Sequence, residues 1–310
     1  MWKKKNCYEL SNYNIYSIKS EKNKFIMYIV IMIIIILICL VLIAKYSIES
    51  IQRNILYTQY EAQLERIQVQ KDEEQAKIKA EEEEKRKSRI PQLTEIGKQN
   101  VENIYSSETK RIFLTFDDGP SVNTSSILDI LKQENITATF FMLGNFVEAR
   151  PDIVKRAYEE GNYIANHGYS HVYSSIYISP EAVLDEYNRC NTAVQNAIGV
   201  PEYNSHLFRF PGGLVGGKYA ELKVQAKQLL NENNIVNVDW NALTGDSEIK
   251  KPTEEFLMNR LRETTEGKNS IVLLMHDSPA KEITIQILPQ VIAYLREQGY
   301  EFKNFYEIIK

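Results

Sequence analysis

Residues 25–44, FIMYIVIMIIIILICLVLIA, form an apolar run without a charge. Twenty helical residues at 1.5 Å each span about 30 Å, the thickness of a bilayer's hydrocarbon core, so the run predicts a transmembrane helix. It is too long for the apolar region of a signal peptide, and no A-x-A processing site follows it. From 46 to 89 the pattern changes, with no Pro or Gly and an apolar stripe of Leu56, Tyr60, Leu64 and Ile67 at helical 4-4-3 spacing. The run KDEEQAKIKAEEEEKRKSR (71–89) then carries seven acidic and seven basic side chains. Such a segment cannot build a packed core. It reads as a solvated, charge-laced helical stalk ending at Pro91, with a weak coiled-coil dimer as the alternative.

From about residue 110 short apolar runs alternate with helical patterns. Strands are expected at RIFLTF (111–116), TATFFML (137–143), NYIAN (162–166), HLFRF, IVNVDW and SIVLLMH. Helices are expected at 124–134, at 151–160 and 180–198 (each led by a proline suited to the first turn) and at 284–298, before GYEFKNF. This alternation predicts one α/β domain of about 200 residues built on a parallel sheet or barrel. Chemistry in such folds gathers at the carboxyl edge of the strands.

Composition adds limits. Hydrophobic residues make up 44% of the 310, enough for a full core. A net charge of −4 gives no reason to expect nucleic acid as a partner. Of Cys7, Cys39 and Cys190 only the last lies in the globular part, so no disulfide framework holds it. Lys3, Lys4, Lys5, Lys19, Lys22 and Lys24 precede the apolar run, whereas only Lys45 and Arg53 follow it closely. The positive-inside rule then puts the N-terminus in the cytoplasm and everything after residue 45 outside.

The unusual polar residues fall at strand ends. Asp117 and Asp118 close the first strand, His167 the third, and Arg209, Asp239-Trp240 and His276-Asp277 later ones. Singly each has an ordinary reading: Asp-Gly is a turn, a lone His a surface residue, Arg209 an ion pair. His171 lies four residues after His167, a spacing that on a helix would put both rings on one face, able to share a metal. Together, at one sheet edge, the set could run metal-assisted hydrolysis. Two imidazoles and a carboxylate make an open metal site. A second carboxylate, kept ionised by an arginine, could take a proton from water, and a further histidine held by an aspartate could protonate a leaving amine.

One segment competes. Arg209–Tyr219, RFPGGLVGGKY, contains Gly212, four residues, then Gly217-Lys218, the opening of a phosphate loop. Tyr219 stands where Ser or Thr should hold magnesium, and Pro211 separates the first glycine from the strand. No nucleotide is therefore expected. Taken in order, TFDDGP, HGYSH, RFPGG, VDW and LLMH resemble the five motifs of the polysaccharide deacetylase (NodB-homology) family, carbohydrate esterase family 4.

The resemblance covers about residues 110–310 and implies a distorted (β/α) barrel with a divalent metal, usually zinc, that removes N-acetyl groups from N-acetylglucosamine polymers. Carried over, it implies Asp117 as general base, Asp118, His167 and His171 as metal ligands, Arg209 as the group that orients Asp117, and His276 as general acid tuned by Asp239. Trp240 and Leu274 would line the pocket for the acetyl methyl, and the Gly212 N–H would hold the oxyanion. Two positions depart from the family pattern. Gly168 stands where Ser or Thr is usual, which implies altered loop rigidity, and Gly212 stands for Tyr, which implies a more flexible loop and a missing ring in the groove wall. With the anchor, the whole reads as a peptidoglycan N-acetylglucosamine deacetylase at the cell membrane: 1–24 cytoplasmic, 25–44 transmembrane, 45–90 stalk, 91–310 catalytic. Chitin-like or poly-N-acetylglucosamine chains are alternative substrates, and a non-catalytic wall-binding module is the alternative class.

Overall fold

The computed structural model describes the backbone of residues 5–309 and the side chains of 18–309. Lys3, Lys4, Lys5 and Cys7, used above for orientation and cysteine count, lie outside the described side chains. Two compact units are present, Met1–Glu82 and Glu83–Lys310.

The apolar segment and the charged segment as far as Ser88 belong to one helix, α1 (Lys5–Ser88), which starts in the first unit. Its large apolar side chains between 25 and 43 are exposed all round, and the helix is long and apolar enough to cross a membrane. A helix apolar on every face is stable in an apolar surrounding, not in water. Its polar stretch is laced by local bonds such as Gln68–Asp72 at 2.9 Å.

The second unit carries an eight-stranded sheet among the described residues. In chain order come α2 (Glu95–Glu102), β1 (Arg111–Gly119), α3 (Val122–Gln133), β2 (Thr139–Met142), α4 (Gly144–Ala149), α5 (Pro151–Glu159) and β3 (Tyr163–Asn166). Then follow α6 (Tyr173–Ile176), α7 (Pro180–Ile198), β4 (Leu207–Phe208), α8 (Ala220–Glu232), β5 (Val236–Asn237) and β6 (Ala242–Leu243). The chain finishes with α9 (Glu254–Thr265), β7 (Ser270–His276), α10 (Glu282–Glu297) and β8 (Glu301–Phe302). Spatial order is β5-β4-β3-β2-β1-β7-β6, with β8 beside the start of β1, and every pairing is parallel. The result is a curled half-barrel rather than a closed ring.

Strand β1 lies at its centre and is buried on both faces, which explains its nearly unbroken apolar run. Ile112, Leu114 and Phe116 pack beneath the helices, while Phe113 joins Phe141, Tyr163 and Phe305 inside the curl. Helix α2, not foreseen from the sequence, closes that interior against the chain end: the Thr94 N–H donates to the Ile309 carbonyl. Gly97 lies so close to the same carbonyl that a Cβ there would approach it to 2.2 Å. Helix α7 shows why some boundaries are legible. Ser179 caps its start, Pro180 fills the first turn, and Gly199 ends it at φ 69°.

Candidate active site

The strand-end residues singled out from the sequence, except Arg209, Asp239 and Asp277, line one cavity of about 380 Å³ at the carboxyl edge of the sheet. Strict alternation along β1 would send Asp117 and Asp118 to opposite faces. A register shift against β2 between Asp117 and Gly119 prevents this, with Asp118 in the left-handed region at φ 74°. The bulge brings both carboxylates to the cavity.

Asp118, His167 and His171 offer ligand atoms that all lie within 4.8 Å of one another. Asp118 Oδ1 is 3.5 Å from His167 Nε2 and 3.4 Å from His171 Nε2. That oxygen is buried and has no hydrogen-bond partner among the described residues. His167 Nδ1 donates to the Arg209 carbonyl at 2.7 Å, so its Nε2 keeps a lone pair. Burial, the largest influence, pulls the His167 pKa down to about 3, so the ring is neutral. An orphaned carboxylate oxygen facing the free Nε2 of His167 and the ring nitrogen of His171 fits a divalent cation.

The two histidines do not share a helix face, contrary to the spacing argument. They sit on a loop after β3, with Gly168 at φ 88° and His171 at φ 56°. That loop is held from α7: buried Glu186 accepts from Tyr169 N (2.6 Å), Ser170 N (2.7 Å) and Ser170 Oγ (2.8 Å). The loop at Gly168 is thus fixed by a carboxylate that the sequence reading missed.

Asp117 does not join this set of ligand atoms. Fully buried Arg209 donates to Asp117 Oδ1 at 2.7 Å and to Thr115 Oγ1 at 2.8 Å. The arginine also donates to the carbonyls of Val238 and Asp239, and its guanidinium lies 3.9 Å from the centre of the Phe141 ring. The pairing with Arg209 was expected to depress the Asp117 pKa. Burial outweighs it and pushes the carboxyl up, because Asp117 is almost wholly shut off from water.

His276 faces Asp117 from the neighbouring strand, the two being register partners on β7 and β1. Its partner is Asp246 rather than Asp239: Nδ1 donates to Asp246 Oδ1 at 2.8 Å, and its backbone N–H donates to Oδ2 at 2.7 Å. Thr284 Oγ1 donates to the same Oδ2, and Lys281 to the Asp246 carbonyl. Burial lowers the His276 pKa most strongly, but Asp246, with the charges of Asp117 and Asp118, raises it overall to about 9. Asp239 instead turns toward the RFPGG loop, where Oδ2 accepts the Leu214 N–H at 2.9 Å. The only sequence signal for Asp246 was a Gly-Asp-Ser turn after an unforeseen strand.

Trp240, Leu274 and Gly212 line the cavity. The loop at Gly212 is pinned, not loose: Tyr177 Oη donates to the Pro211 carbonyl (2.7 Å) and buried Lys223 to that of Gly213 (2.6 Å). Nor is a ring absent from this wall, because Tyr173 stands beside Gly212. The segment from Gly212 to Lys218 does not directly follow a strand, since β4 ends at Phe208.

The chain resembles known proteins. The polysaccharide deacetylase family model matches residues 105–230. YheN of Bacillus subtilis is 33% identical over 198 residues, which make up 62% of this chain and 66% of that protein. A peptidoglycan-N-acetylglucosamine deacetylase of Bacillus cereus is 31% identical over 218 residues, 69% of this chain and 76% of that one. The solved structure of a Streptococcus mutans CE4 esterase matches with a TM-score of 0.61 at 32% identity, covering 67% of this chain and 90% of the other. At that identity, over three quarters of a full relative, the chain belongs to the polysaccharide deacetylase family.

Proposed function

We propose that the protein hydrolyses the acetamide of N-acetylglucosamine residues in peptidoglycan, releasing acetate and leaving a free amine on the glycan. One observation carries the reading. A metal-ligand triad, a carboxylate outside it and an imidazole paired to a different carboxylate face one cavity. A divalent ion, with zinc the best match to two nitrogens and one oxygen, would supply Lewis acidity and make water easier to deprotonate.

The chain's own residues do the rest. Asp117, held through Oδ1 by Arg209, takes a proton from the attacking water. The Gly212 N–H donates to the acyl oxygen as negative charge develops there. His276, kept protonated by Asp246, gives a proton to the departing nitrogen. Trp240 and Leu274 enclose the methyl group and exclude water.

The apolar segment 25–44 anchors the protein in the cell membrane, with residues 1–24 cytoplasmic, 45–90 as spacer and 91–310 outside. A helix of some 40 residues reaches roughly 60 Å, which suits an insoluble wall polymer. Acetate release by the full chain from peptidoglycan, with and without a chelator, tests the activity. Release that stops on chelation and returns with zinc is expected; none from any N-acetylated glycan overturns the reading. External protease on intact cells should remove the domain, and full protection would overturn the topology.

A further inference from the structure

Tyr173 belongs to neither the ligand triad nor the acid and base pairs, yet it stands in the cavity wall with Asp118, Gly212, Trp240 and His276. It opens α6, directly after the loop that carries the second histidine. Two aromatic neighbours fix its ring. His171 packs on it at 5.5 Å between centres and 64°, and Tyr177 at 5.6 Å and 83°. The phenol oxygen makes no hydrogen bond among the described residues, and the residue is exposed to the cavity.

Gly212 lies against that oxygen. Its φ is +76°, and a Cβ built on it would stand 2.7 Å from Tyr173 Oη. Since a backbone N lies about 2.5 Å from its own Cβ position, the Gly212 N and Tyr173 Oη are separated by at most about 5 Å. Two donors that close can share one acceptor oxygen at about 2.9 Å each. The Gly212 N–H, too, has no acceptor among the described residues. Both donors are fixed in advance: the loop by Tyr177, Lys223 and Asp239, the ring by its aromatic neighbours.

We propose that the Tyr173 hydroxyl and the Gly212 N–H converge on the acyl oxygen of the substrate, and that residue 212 is glycine because a side chain there would occupy the phenol's place. This rests on the proposed amide hydrolysis. It makes Tyr173 a catalytic residue of this chain, supplying a donor worth most when the oxygen carries charge.

The test is Tyr173→Phe in the full-length, zinc-loaded protein, which keeps the ring and its packing. On N-acetylglucosamine oligomers kcat should fall ~10²-fold with KM nearly unchanged, the signature of a donor used in the transition state. Zinc content should equal that of the parent. Unchanged kcat overturns the proposal. A raised KM at constant kcat also overturns it, since the hydroxyl would then only bind glycan. Gly212→Ala should cost more in the parent than in the Tyr173→Phe background, because the phenol oxygen would stand 2.7 Å from the new methyl while the nearest ring carbons lie at 3.4 and 3.5 Å, ordinary contact; equal costs overturn the contact. Acetate binding by calorimetry separates the two readings. A parent that releases no acetate from any glycan ends the hydrolase reading. Tyr173→Phe binding acetate as tightly as the parent ends this one.

Discussion

Asp246→Asn separates the imidazole's true partner from the aspartate that the motif pattern suggests. Asp246 holds His276 by two hydrogen bonds, at 2.8 Å to Nδ1 and 2.7 Å to the backbone N–H. Burial alone would take the imidazole below 6.5, yet it stands at about 9. Asparagine keeps an acceptor and removes the charge, so the buried ring should fall from about 9 toward its ordinary 6.5. At pH 8 a pKa of about 9 leaves ~0.9 of the rings protonated, against ~0.03 at 6.5, so roughly 30-fold less acid is available. At pH 6 the difference shrinks to less than about twofold. Acetate release by Asp246→Asn should therefore lose its basic limb near 9, fall roughly 30-fold at about pH 8 and largely recover near pH 6. Asp239→Asn should leave that limb in place. A basic limb unmoved in Asp246→Asn, or an equal loss at both pH values, would refute the assignment.

The same pair links stability to pH. His276 is raised by folding, so its contribution is fully present below 6.5 and is lost as pH rises through about 9. For Asp246 burial raises the pKa most, but the bonds and charge of His276 outweigh it and lower the group overall. Its contribution is present above 3.8 and is lost as pH falls through the depressed folded value. The pair thus stabilises fully between about 4 and 6.5, and in Asp246→Asn the fall of Tm toward pH 9 should flatten.

Other outcomes follow from the same contacts. Glu186→Ala removes the acceptor of three loop donors and should weaken zinc binding about 10–100-fold in a chelator competition, with Glu186→Gln in between; parent-like affinity in the Ala variant would show that the loop holds itself. Arg209→Met leaves the buried Asp117 without its cation and should cost about 3–5 kcal/mol in denaturant unfolding, so an unchanged midpoint would contradict the buried pair. Gly168→Ser puts the residue type usual in the family at φ 88°, beside Glu186. It should destabilise by roughly 1–2 kcal/mol, and a gain in stability would mean the loop relaxes more freely than its geometry suggests.

What the sequence revealed and what it hid differ for physical reasons. Helix α7 was legible to the residue because its caps are local: Ser179, Pro180 and Gly199 act within one turn of the ends. Strand β1 was legible because both its faces are buried. By contrast, HLFRF and IVNVDW read as whole strands, but only Leu207–Phe208 and Val236–Asn237 pair. The backbone beyond them is engaged by side chains: the Arg209 carbonyl by His167 Nδ1, and those of Val238 and Asp239 by the Arg209 guanidinium. Pairing stops where the site begins, so strand length misleads at the functional edge.

The site residues divide in the same way. Those carried by motif segments, Asp117, Asp118, His167, His171, Arg209 and His276, needed only their order along the chain. Asp246, Glu186 and Tyr173 act on the site through tertiary contacts and carry no local pattern. Glu186 left one trace, an acidic residue on the buried face of α7 between Val183 and Tyr187. A carboxylate placed there must find partners, and it finds them in the ligand loop. The two glycines point the same way. At 168 and 212 the chain lacks the side chains usual in the family, and the backbone at both is left-handed. The carboxylate that holds the ligand loop comes from α7, and the ring beside Gly212 from α6. A comparison made column by column would score both positions as losses, whereas the structure sets the Glu186 carboxylate beside the first and the Tyr173 ring beside the second.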